Sequence, residues 1–272
     1  MITSTKNQQV KYVQNLIKKG KARREEGVYV VEGLRICREI PEKEVITLYV
    51  TQAFLREHGA EAEFFRGYPC EMVSDDVMKA MADTQTPQGV LAVVRQKAWG
   101  LKDVTGGAGS QKEREKSCPA CVMILENIQD PGNLGTILRA GEGAGVTGVI
   151  MDKNTVDIYN PKVIRSTMGS VFRMPFVCTG DLSGTLKNMK QNGIRLYAAH
   201  LEGKNSYDQE DFTCPCGFLI GNEANGLTKE TAALADTYIR IPMLGQVESL
   251  NAAVAASVLM FEAARQRRGV RE

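Results

Sequence analysis

Apolar residues in this chain recur at two periods, and the alternation between the two outlines its elements. Val10, Val13, Leu16 and Ile17 fall at helical spacing within residues 4–20, so they share one face of a helix. Val28–Val31 and Val45–Val50 are short β-branched runs that read as strands. Leu34–Ile40 between them reads as helix, as does the stretch around Phe54. Glu71–Val73 and Val90–Val94 supply two more strands, with a helix opening at Asp75 behind Ser74 as its N-cap. Such alternation describes a small α/β layer domain ending near Gln96.

The pattern then lapses. Residues 98–119 carry Gly106-Gly107-Ala108-Gly109-Ser110 and the charged run Gln111–Lys116 without apolar periodicity, which predicts a flexible linker. Cys121–Leu125 is a buried-strand run; Asp130-Pro131-Gly132-Asn133 leads into a helix over 134–143, and a strand returns at Val149–Met151. That is a βαβ unit, expected to be right-handed with parallel strands. Further strands are expected at Arg173–Val177, Arg195–Ala199, Phe218–Ile220 and Tyr238–Ile241, and helices at Pro161–Met168, Leu182–Gln191, Thr228–Leu234 and Leu250–Arg265. Ala252, Ala253, Ala255 and Ala256 leave one face of the last helix thin, which suits close approach of a helix from a second subunit. The expected domains are 1–97 and 120–272, joined by 98–119.

Composition narrows this only slightly. A chain of 272 residues favours two domains, and 34 Lys plus Arg against 32 Asp plus Glu, a net charge of +2, leaves any charged partner to local clusters. One such cluster is Lys18-Lys19-Gly20-Lys21-Ala22-Arg23-Arg24. It reads either as a solvated helix end or as a phosphate-contacting patch. No signal-like apolar core opens the chain and no run approaches the ~18 residues of a membrane span, so a cytoplasmic protein without a membrane partner is expected. Seven scattered Cys fit a reducing compartment.

Gly143-Ala144-Gly145-Val146-Thr147-Gly148 matches a dinucleotide fingerprint by letter, but its glycines follow a helix and precede a strand, so it reads as a helix C-cap and turn. Cys118, Cys121, Cys214 and Cys216 would converge at the amino edge of the sheet if their strands were neighbours. Cys-x-Cys is unusual zinc spacing, and buried thiols and loop positions explain the same residues, so no metal is assigned. With only His58 and His200, a His-based metal cluster or Ser-His-Asp triad has little basis. The informative set is distributed. Asn127 ends a strand, Arg139 lies on the next helix, Glu223 sits in Gly221-Asn222-Glu223-Ala224-Asn225-Gly226 whose glycines permit close backbone approach to a ligand, and Ser249 and Asn251 open the last helix. Together they place amide, guanidinium, carboxylate and hydroxyl groups at the carboxyl edge of a sheet, where open α/β folds bind ligands.

At these residues the sequence resembles the SpoU (TrmH) family of SPOUT RNA ribose 2'-O-methyltransferases. The resemblance lies in Asn127–Val146, Leu219–Leu227 and Ile239–Ala263, joined by Asn160-Pro161-Lys162, Arg165–Gly169 and Phe172. Val30–Gly33 and Thr86–Val90 look like an attached L30e-like RNA-binding domain. One departure is Ala224, where the family commonly has glycine. The resemblance implies a parallel α/β SPOUT domain with a C-terminal trefoil knot, a homodimer formed through that domain, and S-adenosylmethionine held around Gly221, Asn222, Ile241, Met243 and Leu250. It implies catalytic roles for Arg139, Asn127, Glu223, Ser249 and Asn251, with proton removal assigned to Arg139 assisted by an RNA phosphate. Because a guanidinium stays protonated, electrostatic stabilisation of the developing alkoxide is the physically simpler role. Ribosomal RNA, of the 23S type, is implied ahead of transfer RNA, with Lys18, Lys19, Arg23, Arg24 and Arg165 as RNA contacts. The rival reading is a non-catalytic RNA-binding or assembly protein that keeps the fold.

Overall fold

The computed structural model describes residues 1–59, 63–106 and 119–269. They form two compact units, one of Met1–Ala98 with Asp157–Phe172, the other of Trp99–Val156 with Arg173–Glu272.

The first unit is a four-stranded sheet of β1 (Val28–Glu32), β2 (Val45–Thr51), β3 (Cys70–Val73) and β4 (Val90–Arg95), in the order β1-β4-β2-β3. Antiparallel β1–β4 and β4–β2 pairs are joined to a parallel β2–β3 pair. The apolar stripe of α1 (Gln8–Lys18) buries Val10, Val13 and Leu16 against Val28, Val30 and the side chains of a later helix, Asp75–Met81. Ser74 Oγ accepts from the Val77 N–H and caps that later helix, as expected.

The basic run resolves into a break and a second helix, α2 (Gly20–Glu26). Lys18, Lys19 and Arg24 are exposed, but Arg23 is only 4% exposed. Its guanidinium binds Asp157 Oδ2 through Nε at 2.9 Å and Nη2 at 2.7 Å. Its Nη1 donates to the carbonyls of Leu16 at 2.6 Å and Ile17 at 3.0 Å, satisfying the free end of α1. The expectation that Arg23 contacts RNA is therefore corrected, because a buried, fully engaged guanidinium has no donors to spare. Arg165 is similarly committed, its Nη1 lying 2.8 Å from Asp83 Oδ2. The grouping of 157–172 with the first unit also differs from the expected boundaries, and the Arg23–Asp157 pair is part of what holds it there.

In the second unit seven strands, all parallel, run in the order β7-β6-β5-β10-β8-β11-β9. They are β5 (Cys121–Leu125), β6 (Gly148–Asp152), β7 (Phe176–Thr179), β8 (Arg195–Ala199), β9 (Asn205–Ser206), β10 (Cys216–Ile220) and β11 (Thr237–Arg240). Every residue of β5, β6 and β10 is buried, as continuous apolar runs require in a sheet covered on both faces. Helices in the chain are, after α1 and α2, α3 (Leu34–Cys37), α4 (Gln52–Glu57), α5 (Asp75–Met81), α6 (Leu101–Val104), α7 (Pro131–Ala144), α8 (Pro161–Thr167), α9 (Leu182–Gln191), α10 (Lys229–Ala232) and α11 (Ala252–Gly269).

Three expectations change here. Residues 98–119 are not wholly linker, because Val104 of α6 is fully buried in the second unit's core. A Cβ on Gly148 would lie 2.6 Å from the Val104 Cα, so β6 needs glycine to admit α6. Gly107–Cys118 lie outside the described residues. The alanine face of α11 is not open to a second subunit, since Ala252, Ala253 and Ala256 are buried in their own unit. A Cβ on Gly141 of α7 would lie 3.4 Å from Met260 Sδ of α11, so these small residues let α7 and α11 pack closely. The other side of α11 leaves Val254 and Phe261 each 48% exposed.

Cys121 and Cys216 are in register on neighbouring strands, as the zinc alternative required, but Arg267 of α11 occupies that edge. Its guanidinium donates to the carbonyls of Phe212, Pro119 and Ala120 at 2.7 to 2.9 Å and lies 3.3 Å from Cys216 Sγ. Cys118 is outside the described residues, and among the described residues no cluster of three metal-type ligands occurs. No helix of the described residues is long and apolar enough to cross a membrane.

Candidate active site

The strand order decides where the second unit can hold a ligand. From β5 the chain moves to β6 and β7 on one side, then crosses to place β8, β10 and β11 on the other. The neighbours β5 and β10 flank this reversal, and the loops leaving their carboxyl ends diverge and open a crevice. Glu126-Asn127-Ile128-Gln129 leaves β5, and Gly221-Asn222-Glu223 leaves β10.

Each loop is built by its own side chains before it meets the other. Asn127 is left-handed at φ 56, a conformation asparagine tolerates better than most residues. Its N–H donates to the buried Asp152 Oδ1 at 2.8 Å, and its side-chain oxygen accepts from Gln129 Nε2 at 2.7 Å. In the second loop the Asn222 and Gly226 backbones pair both ways, at 3.0 and 2.9 Å, while Asn222 Oδ1 accepts the N–H groups of Ala224 and Asn225. A Cβ on Gly221 would lie 2.1 Å from the Gly226 carbonyl carbon. Gly221 thus serves the close approach of its own loop, which the sequence reading had attributed to a ligand.

The loops are then joined by a continuous polar network. Asn222 Nδ2 donates to the Asn127 carbonyl at 2.8 Å. Glu223 accepts from the N–H of Gln129 at 3.2 Å, the N–H of Asp130 at 3.1 Å and Asn133 Nδ2 at 2.9 Å. Burial alone would raise the Glu223 carboxyl, but hydrogen bonds from Asn133, its own backbone N–H, Asp130 and Gln129 outweigh it and hold the group below the ordinary glutamate value. Asn133, only 8% exposed near the start of α7, presents its Oδ1 to Asn251 Nδ2 at 2.9 Å. Asn251 Oδ1 in turn accepts from the Ala253 and Val254 N–H groups and caps α11.

Asn133 is the functional residue that sequence reasoning missed. It was quoted only as part of the approach to a helix, although a polar residue on the buried stripe of α7 signals a specific partner. Glu126 was missed too. It is 8% exposed and accepts from the Thr228 N–H and Oγ1, each at 2.8 Å, and from Thr231 Oγ1, fixing the start of α10.

A model of the family described as SpoU rRNA Methylase matches residues 120–261. The chain belongs to the SpoU rRNA methylase family. Its residues 7–92 match the MRM3-like substrate binding domain. Among similar proteins, the 23S rRNA (guanosine(2553)-2'-O)-methyltransferase RlmP of Bacillus subtilis strain 168 is 30% identical over 96% of this chain and 97% of that protein. The SpoU methyltransferase AviRb of Streptomyces viridochromogenes in complex with AdoMet superposes with a TM-score of 0.83, at 29% identity over 97% of this chain and 99% of that one. The AdoMet-bound rRNA methyltransferase of Sinorhizobium meliloti gives 0.79, at 29% identity over 97% of each chain.

Within this SpoU unit the expected site residues divide into two groups. Asn127, Asn222, Glu223 and Asn251 are drawn together through Asn133. Arg139 and Ser249 are not part of that network. Arg139 stands on the exposed stripe of α7 with Gly132, Thr136 and Gly143, and no ion pair or hydrogen bond engages it among the described residues. Ser249 is exposed and does not open α11, which begins at Ala252 behind Asn251. Ile241, Met243 and Leu250 are half-buried on the loop after β11, from which Leu244 projects fully and Val247 is 63% exposed. Residues 243–249 make no backbone hydrogen bond to any described residue, so that loop offers free N–H and C=O groups beside apolar side chains. This donor, acceptor and apolar set fits a nucleoside-bearing, zwitterionic ligand such as S-adenosylmethionine.

Proposed function

We propose that this SpoU protein transfers a methyl group from S-adenosylmethionine to a ribose 2'-hydroxyl of 23S ribosomal RNA. The observation that carries the reading is the Asn127–Asn222–Glu223–Asn133–Asn251 network at the switch point, set in a chain of this family. S-adenosylmethionine supplies an electrophilic methyl carbon on a sulfonium sulfur. Gly221, Asn222, Ile241, Met243 and Leu250 are the residues that would hold it.

The chain's own work is positioning and charge stabilisation. Asn133 and Glu223 tie the start of α7 to the loop after β10, and Asn251 ties both to α11, so three segments distant in sequence move as one. Such fixing of reacting groups is worth on the order of 7 kcal/mol or more when the alignment is close. Arg139, exposed and unpaired, is free to meet an RNA phosphate and the oxygen on which negative charge develops as the 2'-hydroxyl loses its proton. A guanidinium remains protonated at neutral pH, so Arg139 acts in this reading by charge and hydrogen bonding.

The same reading includes a C-terminal knot and a homodimer. Support for the dimer is the exposed face of α11 bearing Val254 and Phe261. A reducing, cytoplasmic setting agrees with six described cysteines that are all unbridged. The test is transfer of labelled methyl from S-adenosylmethionine to unmodified 23S rRNA, with the product mapped for 2'-O-methyl ribose. Incorporation confined to a ribose hydroxyl is expected; binding of RNA without any incorporation would leave a non-catalytic assembly protein.

A further inference from the structure

The first unit contains a cavity of about 1150 Å³ that the methyl-transfer chemistry does not use. It lies where Val30–Gly33 and Thr86–Val90 meet. Gly33 N–H donates to the Val90 carbonyl at 3.1 Å, and the Leu34 N–H donates to Gln88 Oε1 at 2.9 Å. Gly89, at φ 81, is pressed against Thr51 and Phe54, where a Cβ would fall 2.7 and 2.9 Å from their side chains. The cavity floor is therefore rigid, and its walls come from α3, α4, α5 and the turn at Glu63–Phe65.

Its chemistry is unlike an apolar ligand pocket. Phe64 is 46% exposed at the rim, backed by Phe65 and Tyr68 with ring centroids 5.4 and 6.2 Å away. The Arg38 guanidinium carbon lies 5.7 Å from the Phe64 ring centroid. Arg35 and Lys79 also line the cavity, and none of these three cations is in an ion pair with a described residue. Gln88 keeps its NH2 group for donation after its oxygen is used, and Gln85 is exposed beside it. An exposed aromatic face, unpaired cations and outward amides are what a nucleotide requires for stacking, phosphate contact and edge recognition.

We infer that this cavity binds a single, unstacked nucleotide of the RNA substrate, its base against Phe64 and its phosphate toward Arg35, Arg38 and Lys79. Glu57 and Asp75 line the same cavity and would repel a duplex backbone laid across it, whereas a carboxylate accepts the amino group of an inserted base. The inference rests on the proposed action on RNA and deepens it, by requiring single-stranded or bulged structure away from the methylated ribose.

The test uses the full chain. A single-stranded 12-mer oligoribonucleotide of mixed sequence and its blunt duplex are titrated by fluorescence anisotropy, and 23S rRNA methylation is measured in parallel. Phe64→Ala should weaken single-strand binding roughly tenfold or more, the range of one lost base stack. Phe64→Trp should restore it. For methylation, KM for rRNA should rise with kcat unchanged, and calorimetric binding of S-adenosylmethionine should be unaltered. A 4-thiouridine substituted strand should crosslink to the peptide containing Phe64. Unchanged affinity and KM in Phe64→Ala, crosslinks only elsewhere, equal binding of the duplex, or occupancy by free mononucleotides without preference for the strand would each overturn the inference. If wild type binds and crosslinks at Phe64 but transfers no methyl group, the cavity assignment stands and the enzymatic reading fails.

Discussion

Asn133→Asp replaces an amide by a carboxylate of the same shape and places it 2.9 Å from Glu223 Oε1. One donor to Glu223 is lost, and two like charges meet where a hydrogen bond stood. Coulomb's law at that separation gives about 1.4 kcal/mol of repulsion in bulk water and ~5.7 kcal/mol at an effective dielectric of 20. Glu223 is largely solvated on its other side, so a cost of about 2 kcal/mol is expected, concentrated in the loop after β10 and the start of α11. The electrostatic origin gives a signature that a simple packing defect lacks. The pair will take up one proton with a raised pKa, so the penalty is full at pH 8 and shrinks toward pH 5 as the proton binds. The assay is S-adenosylmethionine affinity by calorimetry at both pH values, with amide hydrogen exchange reporting opening of residues 221–227. A loss of roughly 30-fold in affinity at pH 8, partly recovered at pH 5 relative to wild type, is expected. Wild-type affinity at pH 8, or a loss that does not vary with pH, would refute the argument that Asn133 couples these segments through Glu223.

Three further outcomes follow from the same geometry. In wild type, Glu223 has a depressed folded-state pKa, so its stabilisation is present above the ordinary value of about 4.5 and is lost as pH falls through the lower folded value; hydrogen exchange in 221–227 should accelerate there, and Glu223→Gln should flatten the profile. Arg139→Ala should lower methyl transfer by about 100-fold or more while leaving the urea midpoint and S-adenosylmethionine affinity unchanged, because the side chain holds nothing in the free protein; near-normal turnover at saturating rRNA would remove it from the mechanism. Arg23→Met should destabilise the first unit by about 3 kcal/mol in urea unfolding, since it strands Asp157 and two helix carbonyls. Reversing Lys18, Lys19 and Arg24 should instead leave stability nearly unchanged and flatten the salt dependence of RNA binding, if these exposed cations meet phosphate.

Much of this protein can be read from its sequence because burial imposes local patterns. Cys121–Leu125, Arg195–Ala199 and Leu182–Gln191 are elements whose ends coincide with their apolar runs and caps, and the Gly143–Gly148 run does end α7, with Gly145 at φ 77. The blocks around Asn127, Glu223 and Asn251 likewise marked the segments that converge. Periodicity states that a face is buried, but not against what. The alanine face of α11 was visible, yet that it packs within its own unit follows only from the tertiary fold. Val104 looked like linker because a one-turn helix has no period to detect.

Roles that depend on a distant partner were decided by tertiary structure alone. Arg23 sits within a run of exposed cations, and only Asp157, 134 positions away, turns it from a surface charge into a buried strut. Asn133 becomes the pivot of the site because the sheet order sets β5 beside β10, bringing Glu223 and Asn251 to its two ends across 90 and 118 positions. A local sequence pattern carries no information about contacts at that separation, whereas the side chains that form them must still be polar, small or charged. The sequence by itself therefore determined which chemical groups were available and on which elements. The strand order at the switch point decided which of them meet.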